Sequence, residues 1–383
     1  MARIELVKFA QAFVKNIGLF AGENDPQLKL TPTGFLKLLL ANPAQVQINN
    51  IEELRKGQKR TIKLKYMPRG LESEVGTVDN CETVDNAKWG ETEITHPLYR
   101  KIGIFIAEDE MRKYEDEALQ TIDAGGSQQV ALMRPLYEIL LSKLVALVSS
   151  IDTALLSEQA TKFGKNVAYD NPDGAKSIVF GETASMGDGY VKLLEDAQLN
   201  EIVGDLAVVG SGVISRYDLY NRLKKGTDLN GIGSLPVNAY YDPRCATAWG
   251  KDHFGAFAKG SVAFVPWNAY VGPYAGDKGN GDVFFTIPVP VEIDGQLTNI
   301  VFDAQLRYNS CPIEKDGEVV KPRGYDLIVG LHFGLFNLPN DLFQEGDRLR
   351  GVNGAFHYVA TQEDGIKVAP AEGAVFNTKE VTE

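Results

Sequence analysis

Residues 128–161 read QQVALMRPLYEILLSKLVALVSSIDTALLSEQAT. Within them Leu136, Leu140, Leu144, Leu147, Ile151 and Leu155 recur at steps of four and three, supported by Ile139, Val148 and Leu156. That spacing is the apolar stripe of one helix face. About 25 helical residues rising 1.5 Å each span roughly 37 Å, against a mean helix of about 12 residues. A helix of that length predicts a spine on which other elements pack. Pro135 is expected near its first turn, or as a kink. Glu138, Lys143 and Asp152 interrupt the apolar run, so the segment does not read as a membrane span.

Upstream of the spine the period changes from helical to two. Ile62, Leu64 and Tyr66 alternate with Lys63 and Lys65 up to the turn Met67-Pro68-Arg69-Gly70. Alternation resumes around Glu91 and runs through Ile94, His96, Leu98, Ile102, Ile104 and Ile106. Two strands about 25 residues apart therefore predict a long hairpin-like excursion. Its charge is segregated: Arg55, Lys56, Lys59, Arg60, Lys63, Lys65 and Arg69 lie on the outgoing side, while Glu72, Glu74, Asp79, Glu82, Asp85, Glu91 and Glu93 lie at the tip and on the return. A two-stranded hairpin alone is marginal in water, so one this long needs a surface to pack on. Opposite charge on its limbs suits docking on copies of the same chain. The alternative is a solvated hairpin whose charges blunt its edges, and both readings stay open at this point.

The first 52 residues read as an arm. Leu6, Phe9, Ala10, Phe13 and Ile17 mark an amphipathic helix over Glu5 to Phe20, and a second is expected from Thr31 to Leu40. Glu5, Lys8 and Lys15 fall where a signal peptide needs an apolar run, so no secretory processing is expected.

Beyond the spine, Asp170-Asn-Pro-Asp-Gly174 marks a turn, and helices are expected over Tyr190 to Glu201 and Val213 to Lys225, with a buried strand at Asp205 to Gly210 between them. Short strands follow near Ser261–Val265, Asp282–Ile293, Ile300–Tyr308 and Tyr325–Leu335, and the tail from Thr361 is polar. This is a mixed α+β chain of mostly antiparallel character, not alternating βαβ.

Composition limits the function classes. The chain has 383 residues, 44% hydrophobic and 23% charged, which is globular composition and enough for two or three packed units. Thirty-nine basic against 51 acidic side chains give a net charge of −12, which argues against a dedicated nucleic-acid binder. The three cysteines, Cys81, Cys245 and Cys311, are far apart and contain no C-x-x-C pair, which rules out a disulfide scaffold or a zinc finger.

One segment has the outline of a catalytic motif. Leu206 to Ser215 reads as a strand followed by G-x-G-x-x-S and a helix, the outline of a dinucleotide turn around Gly210 and Gly212. Its third glycine is Ser215, and no second parallel strand is expected to end in an acid about 20 residues on. A tight structural turn is the favoured reading. His96, His253, His332 and His357 show no metal-ligand spacing, and Asp277-Lys-Gly-Asn-Gly-Asp282 lacks the spaced carboxylates of a calcium loop and reads as a hairpin turn. The aromatics Phe254, Phe257, Phe264, Trp267, Tyr270 and Tyr274 have few lysines beside them, so they read as core or subunit interface. No catalytic residue, cofactor or metal is assigned.

The order of arm, charged excursion, spine helix, turn-rich link and α+β domain resembles the major capsid protein of tailed bacteriophages, the Hong Kong 97-type fold. Three stretches carry the likeness: Ser150-Ile-Asp-Thr-Ala-Leu-Leu156 at the spine's end; Ala207 to Lys225 with Leu219, Leu223 and the loop ending Ser234-Leu-Pro236; and Gly255 to Trp267 followed by Phe302-Asp-Ala-Gln-Leu306 through Leu335.

The resemblance implies an arm (1–52), an extended loop lying over a neighbour (53–100), a peripheral domain with the spine helix (101–200), an axial domain (201–282), closing strands of the peripheral domain (283–345) and a C-terminal segment (346–383). It implies a non-enzymatic virion protein that self-assembles into the hexamers and pentamers of an icosahedral shell, made in the host bacterial cytoplasm and enclosing DNA without reading its sequence. Its partners would be copies of itself, a separately encoded scaffold or none, and portal and decoration proteins, with no membrane. The subunit interface would include Arg55, Lys56, Lys59, Arg60, Lys63, Lys65, Arg69, Glu72, Glu74, Asp79, Glu82 and Asp85. A nanocompartment shell of the same fold and, less favoured, a nucleotide-binding enzyme using Gly210 and Gly212 are the alternatives.

Overall fold

The structure, a computed structural model, describes residues 3–21, 29–41, 45–57, 61–67, 89–95, 97–123, 128–163, 176–180, 193–195, 206–212, 237–271, 274–275, 282–293, 295–315, 318–339, 344–345, 348–349 and 354–362. The expected helix at 213–225, the turn at 170–174, the loop at 277–281, most of the expected helix at 190–201 and the tail after Gln362 lie outside them.

In chain order the elements begin with helices α1 (Arg3–Ala21) and α2 (Gly34–Ala41), then β1 (Val46–Ile48), α3 (Ile51–Arg55), β2 (Ile62–Tyr66), β3 (Gly90–Ile94) and β4 (Leu98–Ala107). Two long helices follow, α4 (Glu108–Asp123) and α5 (Gln128–Ala160), and then β5 (Lys176–Phe180), β6 (Leu206–Gly210), β7 (Val237–Tyr241), α6 (Cys245–Ala248), β8 (His253–Ala258) and β9 (Val262–Trp267). The remainder is strand: β10 (Tyr274–Ala275), β11 (Val283–Ile293), β12 (Gln296–Ser310), β13 (Ile313–Lys315), β14 (Glu318–Val320), β15 (Arg323–Asn337), β16 (Gln344–Glu345), β17 (Arg348–Leu349) and β18 (Ala355–Gln362).

Two larger sheets share one core. The six-stranded sheet runs β10-β11-β12-β15-β4 with β9 also on β15, and all its pairs are antiparallel. The five-stranded sheet runs β5-β18-β8-β6-β7 and is mixed, with β18–β5 and β6–β7 parallel. These are the mixed helices and largely antiparallel strands of an α+β protein. The strand β9 joins the first sheet, while β5 and β18 join the second.

The α5 helix fulfils the stripe. Leu136, Leu140, Leu144, Leu147, Ile151 and Leu155 are all buried, whereas Val145 on the opposite side is 61% exposed. Burying each such leucine contributes about 1.5–3 kcal/mol. By length and composition this helix could cross a membrane, yet its apolar face is buried in the chain's own core, where α1, α2, β4 and β15 pack on it. The helix starts at Gln128, so Pro135 lies about two turns inside it rather than in the first turn, and it leaves the Ala131 carbonyl without its usual donor. The α1 helix buries Leu6, Ala10, Phe13 and Ile17 in the same core, with Phe9 stacked on Tyr325 at 5.9 Å.

Several features depart from the sequence expectation. The even-spaced run from Ile94 to Ile106 is not one strand: β3 ends at Ile94, β4 begins at Leu98, and the two belong to different sheets; Pro97 cannot donate to a continuing ladder. The α4 helix was not expected, since its composition is acidic with only a thin apolar face at Met111 and Tyr114. The short β1 and the late β18 also lacked a periodic signal. Finally, β7 is a second strand parallel to β6, and Asp242 follows it directly.

Candidate functional site

The charged excursion is anchored by a small sheet of order β1-β2-β3. One face, Ile62, Leu64, Tyr66 and Ile94, packs on Ala263, Val265, Trp267, Phe336 and Leu338, so the excursion is rooted over β9 and β15. Gly90 is required where β3 begins, because a Cβ there would meet the Tyr66 ring. Asn50 fixes the entry: its Nδ2 donates to the Thr61 carbonyl at 2.8 Å and its Oδ1 accepts from the Lys63 N–H at 2.9 Å.

The other face carries the charges expected to dock on a copy. Lys63 pairs with Glu93 at 3.4 Å and Lys65 with Glu91 at 3.7 Å, so on the described part the two limbs neutralise each other within one chain. All four side chains are about half exposed or more, and such pairs contribute about 0–1 kcal/mol. Arg55 donates from Nε to the Asn268 carbonyl at 3.1 Å and pairs with Glu52 at 3.3 Å, which ties α3 to the segment after β9. Lys56 follows as the C-cap of α3. Lys59, Arg60, Arg69, Glu72, Glu74, Asp79, Glu82 and Asp85 lie outside the described residues. Met67 and Trp89, one step beyond the last paired residues, are 48% and 43% exposed.

Three buried polar clusters were candidates for chemistry. In the first, Asp152 of α5 and Asp242 after β7, both almost fully buried, share the Arg244 guanidinium. Arg244 Nε donates to Asp242 Oδ1 at 2.9 Å, Nη1 donates to the Ser149 carbonyl at 3.1 Å, and Nη2 bonds Asp152. The carboxylates also cap α2 from outside it: the Leu36 N–H donates to Asp152 Oδ1 at 2.9 Å and the Phe35 N–H to Asp242 Oδ2 at 3.3 Å. Burial, and then Asp242 beside it, push the Asp152 carboxyl up to about 8. The Cys245 thiol next to this cluster is raised by burial, so it is not an activated nucleophile.

In the second cluster the fold brings together histidines 104 residues apart. His253 Nδ1 lies 3.0 Å from His357 Nε2, and the His357 ring stacks on Phe163 at 4.5 Å. Burial, then His253, hold His357 down at about 3. In the third, Asp303 accepts from the Ala269 and Tyr270 N–H groups at 2.9 and 3.2 Å, and His332 Nδ1 lies 3.5 Å away. Among the described residues no group of three or more His, Cys, Asp or Glu is placed to hold a metal.

The dinucleotide outline fails on geometry. The missing parallel strand exists as β7, but its terminal Asp242 is occupied by Arg244 and the α2 backbone. At the turn itself Gly212 has φ +55°, and a Cβ there would meet Asp252 Oδ1 at 2.7 Å. A carboxylate against the turn disfavours a pyrophosphate there. The aromatics Phe254 and Phe257 are core, as expected, with exposures of 1% each.

No protein-family model matches the chain, and no curated protein matches it by sequence. Among solved structures it is similar to a chain in the capsid of cyanophage P-SCSP1u, at 14% identity over 79% of this chain and 83% of that one, with a TM-score of 0.34. It is also similar to a chain in the mature capsid of bacteriophage PhiM1, at 11% identity over 79% and 83%, with a TM-score of 0.34. A chain from Mycobacterium phage Cain is similar at 10% identity over 89% and 94%, with a TM-score of 0.36.

Proposed function

We propose that this chain is a major capsid protein of the Hong Kong 97 type: a structural protein, not an enzyme, whose copies form the hexamers and pentamers of an icosahedral shell around the DNA of a tailed phage. The observation that carries this reading is the three-stranded sheet rooted on the main sheet. Its last pair, Tyr66 and Gly90, is followed on each strand by an exposed apolar residue, Met67 and Trp89. An excursion built this way suits a contact on a neighbouring copy. The reading is supported by the fate of the buried ionic cluster, whose carboxylates cap a helix of the same chain.

In this reading residues 53–100 overlie a neighbour, 101–200 with 283–345 form the peripheral domain, and 201–282 form the axial domain. The N-terminal 52 residues and the 346–383 segment complete the subunit, and the loop charges from Arg55 to Asp85 form part of the subunit contact. Modest contact energies multiply over many copies. An acidic surface of net charge −12 holds packed DNA without gripping it. The shell is assembled in the host cytoplasm, with scaffold, portal and decoration proteins as partners.

Negative-stain electron microscopy of the purified protein, with light scattering over a concentration series, tests the proposal. Closed shells or rings of five and six are the expected result. A monodisperse monomer in every salt, with candidate scaffold added, would sink it.

A further inference from the structure

The hydrogen-bond count of the small sheet leaves two free edges that match each other. In an antiparallel pair, opposed residues alternate between those that exchange both backbone bonds and those that exchange neither. The Asn49 N–H donates to the Lys63 carbonyl at 2.9 Å and the Met67 N–H to the Gln45 carbonyl at 3.3 Å, so Lys63, Lys65 and Met67 turn their backbone groups toward β1. Ile62, Leu64 and Tyr66 therefore turn theirs toward β3, where the register sets them opposite Ile94, Thr92 and Gly90. This leaves the N–H and C=O of Glu91 and Glu93 on the far side of β3. By the same count, those of Val46 and Ile48 lie on the far side of β1. Among the described residues no strand pairs with either edge.

The side chains match as well. The β1 strand sets half-buried Val46 and Ile48 on the apolar face, in register with Tyr66 and Leu64, and exposed Gln47 on the charged face beside Lys65. The β3 strand sets Thr92 and Ile94 on the apolar face and Glu91 and Glu93 on the charged one. Pairing β3 with another β3 would put glutamates opposite each other, which is unfavourable. Pairing it with β1 places the neutral Gln47 amide beside a glutamate. The β3 edge also borders an open groove of about 310 Å³ between Thr92–Ile94, Thr161–Phe163 and Leu335–Pro339.

We propose that the β3 edge of one copy receives the β1 edge of a second copy, extending the small sheet from subunit to subunit. Both strands run antiparallel to β2, so they meet in parallel. In that arrangement the outward N–H and C=O of Glu91 or Glu93 bond the carbonyl of Val46 and the N–H of Ile48 of the second copy. The contact is head-to-tail, the kind that closes into rings when its rotation permits. This inference deepens the shell reading and rests on it for the many copies.

Proline substitutions test it at single backbone atoms. Glu91→Pro removes the outward N–H of β3 and Ile48→Pro that of β1, and neither N–H serves the ladder to β2. Sedimentation velocity over a concentration series should show each variant self-associating at least tenfold more weakly than the wild type. Mixing the two should restore a one-to-one heterodimer, because each retains the edge that the other lacks. Should a proline variant fail to fold, Gln47→Glu leaves the backbone intact and sets a carboxylate beside the neighbour's glutamates; several-fold weaker, salt-dependent association is then expected.

Unchanged association of the folded variants, or a mixture without heterodimer, overturns the inference, as does a wild type that stays monomeric. Shells that persist in the proline variants overturn the strand contact and leave the shell reading standing. Wild-type dimers or filaments that the prolines abolish, with no shells from the wild type, do the reverse.

Discussion

Gly34 lies so close to Asp242 that a Cβ on the glycine would overlap the aspartate's carboxyl group. The glycine also has φ +65°, where L side chains are strained. The close approach follows from Asp242 reaching into the start of α2 to accept the Phe35 N–H. Gly34→Ala is therefore expected to lower stability by at least about 1–3 kcal/mol from backbone strain alone, with the overlap adding to it. Urea unfolding monitored by tryptophan fluorescence measures this; an unchanged midpoint would show that α2 is not held by this contact.

Among the described residues Arg244 is the only cation bonded to Asp152 and Asp242. Arg244→Ala leaves the Asp242 carboxylate buried beside Asp152 without its cation, and removing one partner of a buried ionic group costs about 3–5 kcal/mol. Arg244→Lys retains the charge but cannot bond both carboxylates and the Ser149 carbonyl at once, so an intermediate loss is expected. Equilibrium denaturation of the two variants should rank them in that order.

Much of this architecture was legible in the sequence because its signals are local. The α5 stripe, the alternation of Ile62, Leu64 and Tyr66 and the strand at 206–210 each follow from the face that must be buried. What was not legible depends on distant partners. Asp152 reads as a charge that interrupts an apolar helix, and only the fold brings Arg244 to it across 92 residues. His253 and His357 lie on strands made adjacent by β18, whose Ala-Phe-His-Tyr-Val pattern is buried on both faces and so lacks alternation. The excursion's segregated charge was readable, but Lys63 and Lys65 meet glutamates of their own chain, and that depends on register.

The ionic cluster predicts how stability changes between about pH 4 and 8. Asp152 retains its proton in the folded state up to about 8, far above the ordinary aspartate value of 3.8. The folded state therefore binds more protons than the unfolded chain between these values, and stability falls as pH rises through that window. Asp152→Asn, which has no proton to lose, should flatten the decline between about pH 5 and 8. Urea midpoints for both proteins across this range give the comparison; parallel curves would exclude Asp152 as the source.

The histidine pair acts in the opposite direction at acid pH. His357 is held neutral down to about 3, against an ordinary 6.5, by burial and by His253, and His253 is itself lowered by burial. Below pH 6.5 the unfolded chain takes up protons that the folded one refuses, so the stability contributed by neutral rings falls as pH drops toward 3. The pair also ties β18 to β8, and the His357 ring lies between His253 and Phe163. Asp252 is the charged neighbour that opposes this effect, since its carboxylate favours protonated His253. His357→Phe preserves the stacked ring and removes the group that titrates. The variant should therefore lose less thermal stability than the wild type between pH 6.5 and 4, whatever its stability at neutral pH. Melting temperatures at half-unit steps across that range decide it: equal slopes for the two proteins would assign acid sensitivity to other groups.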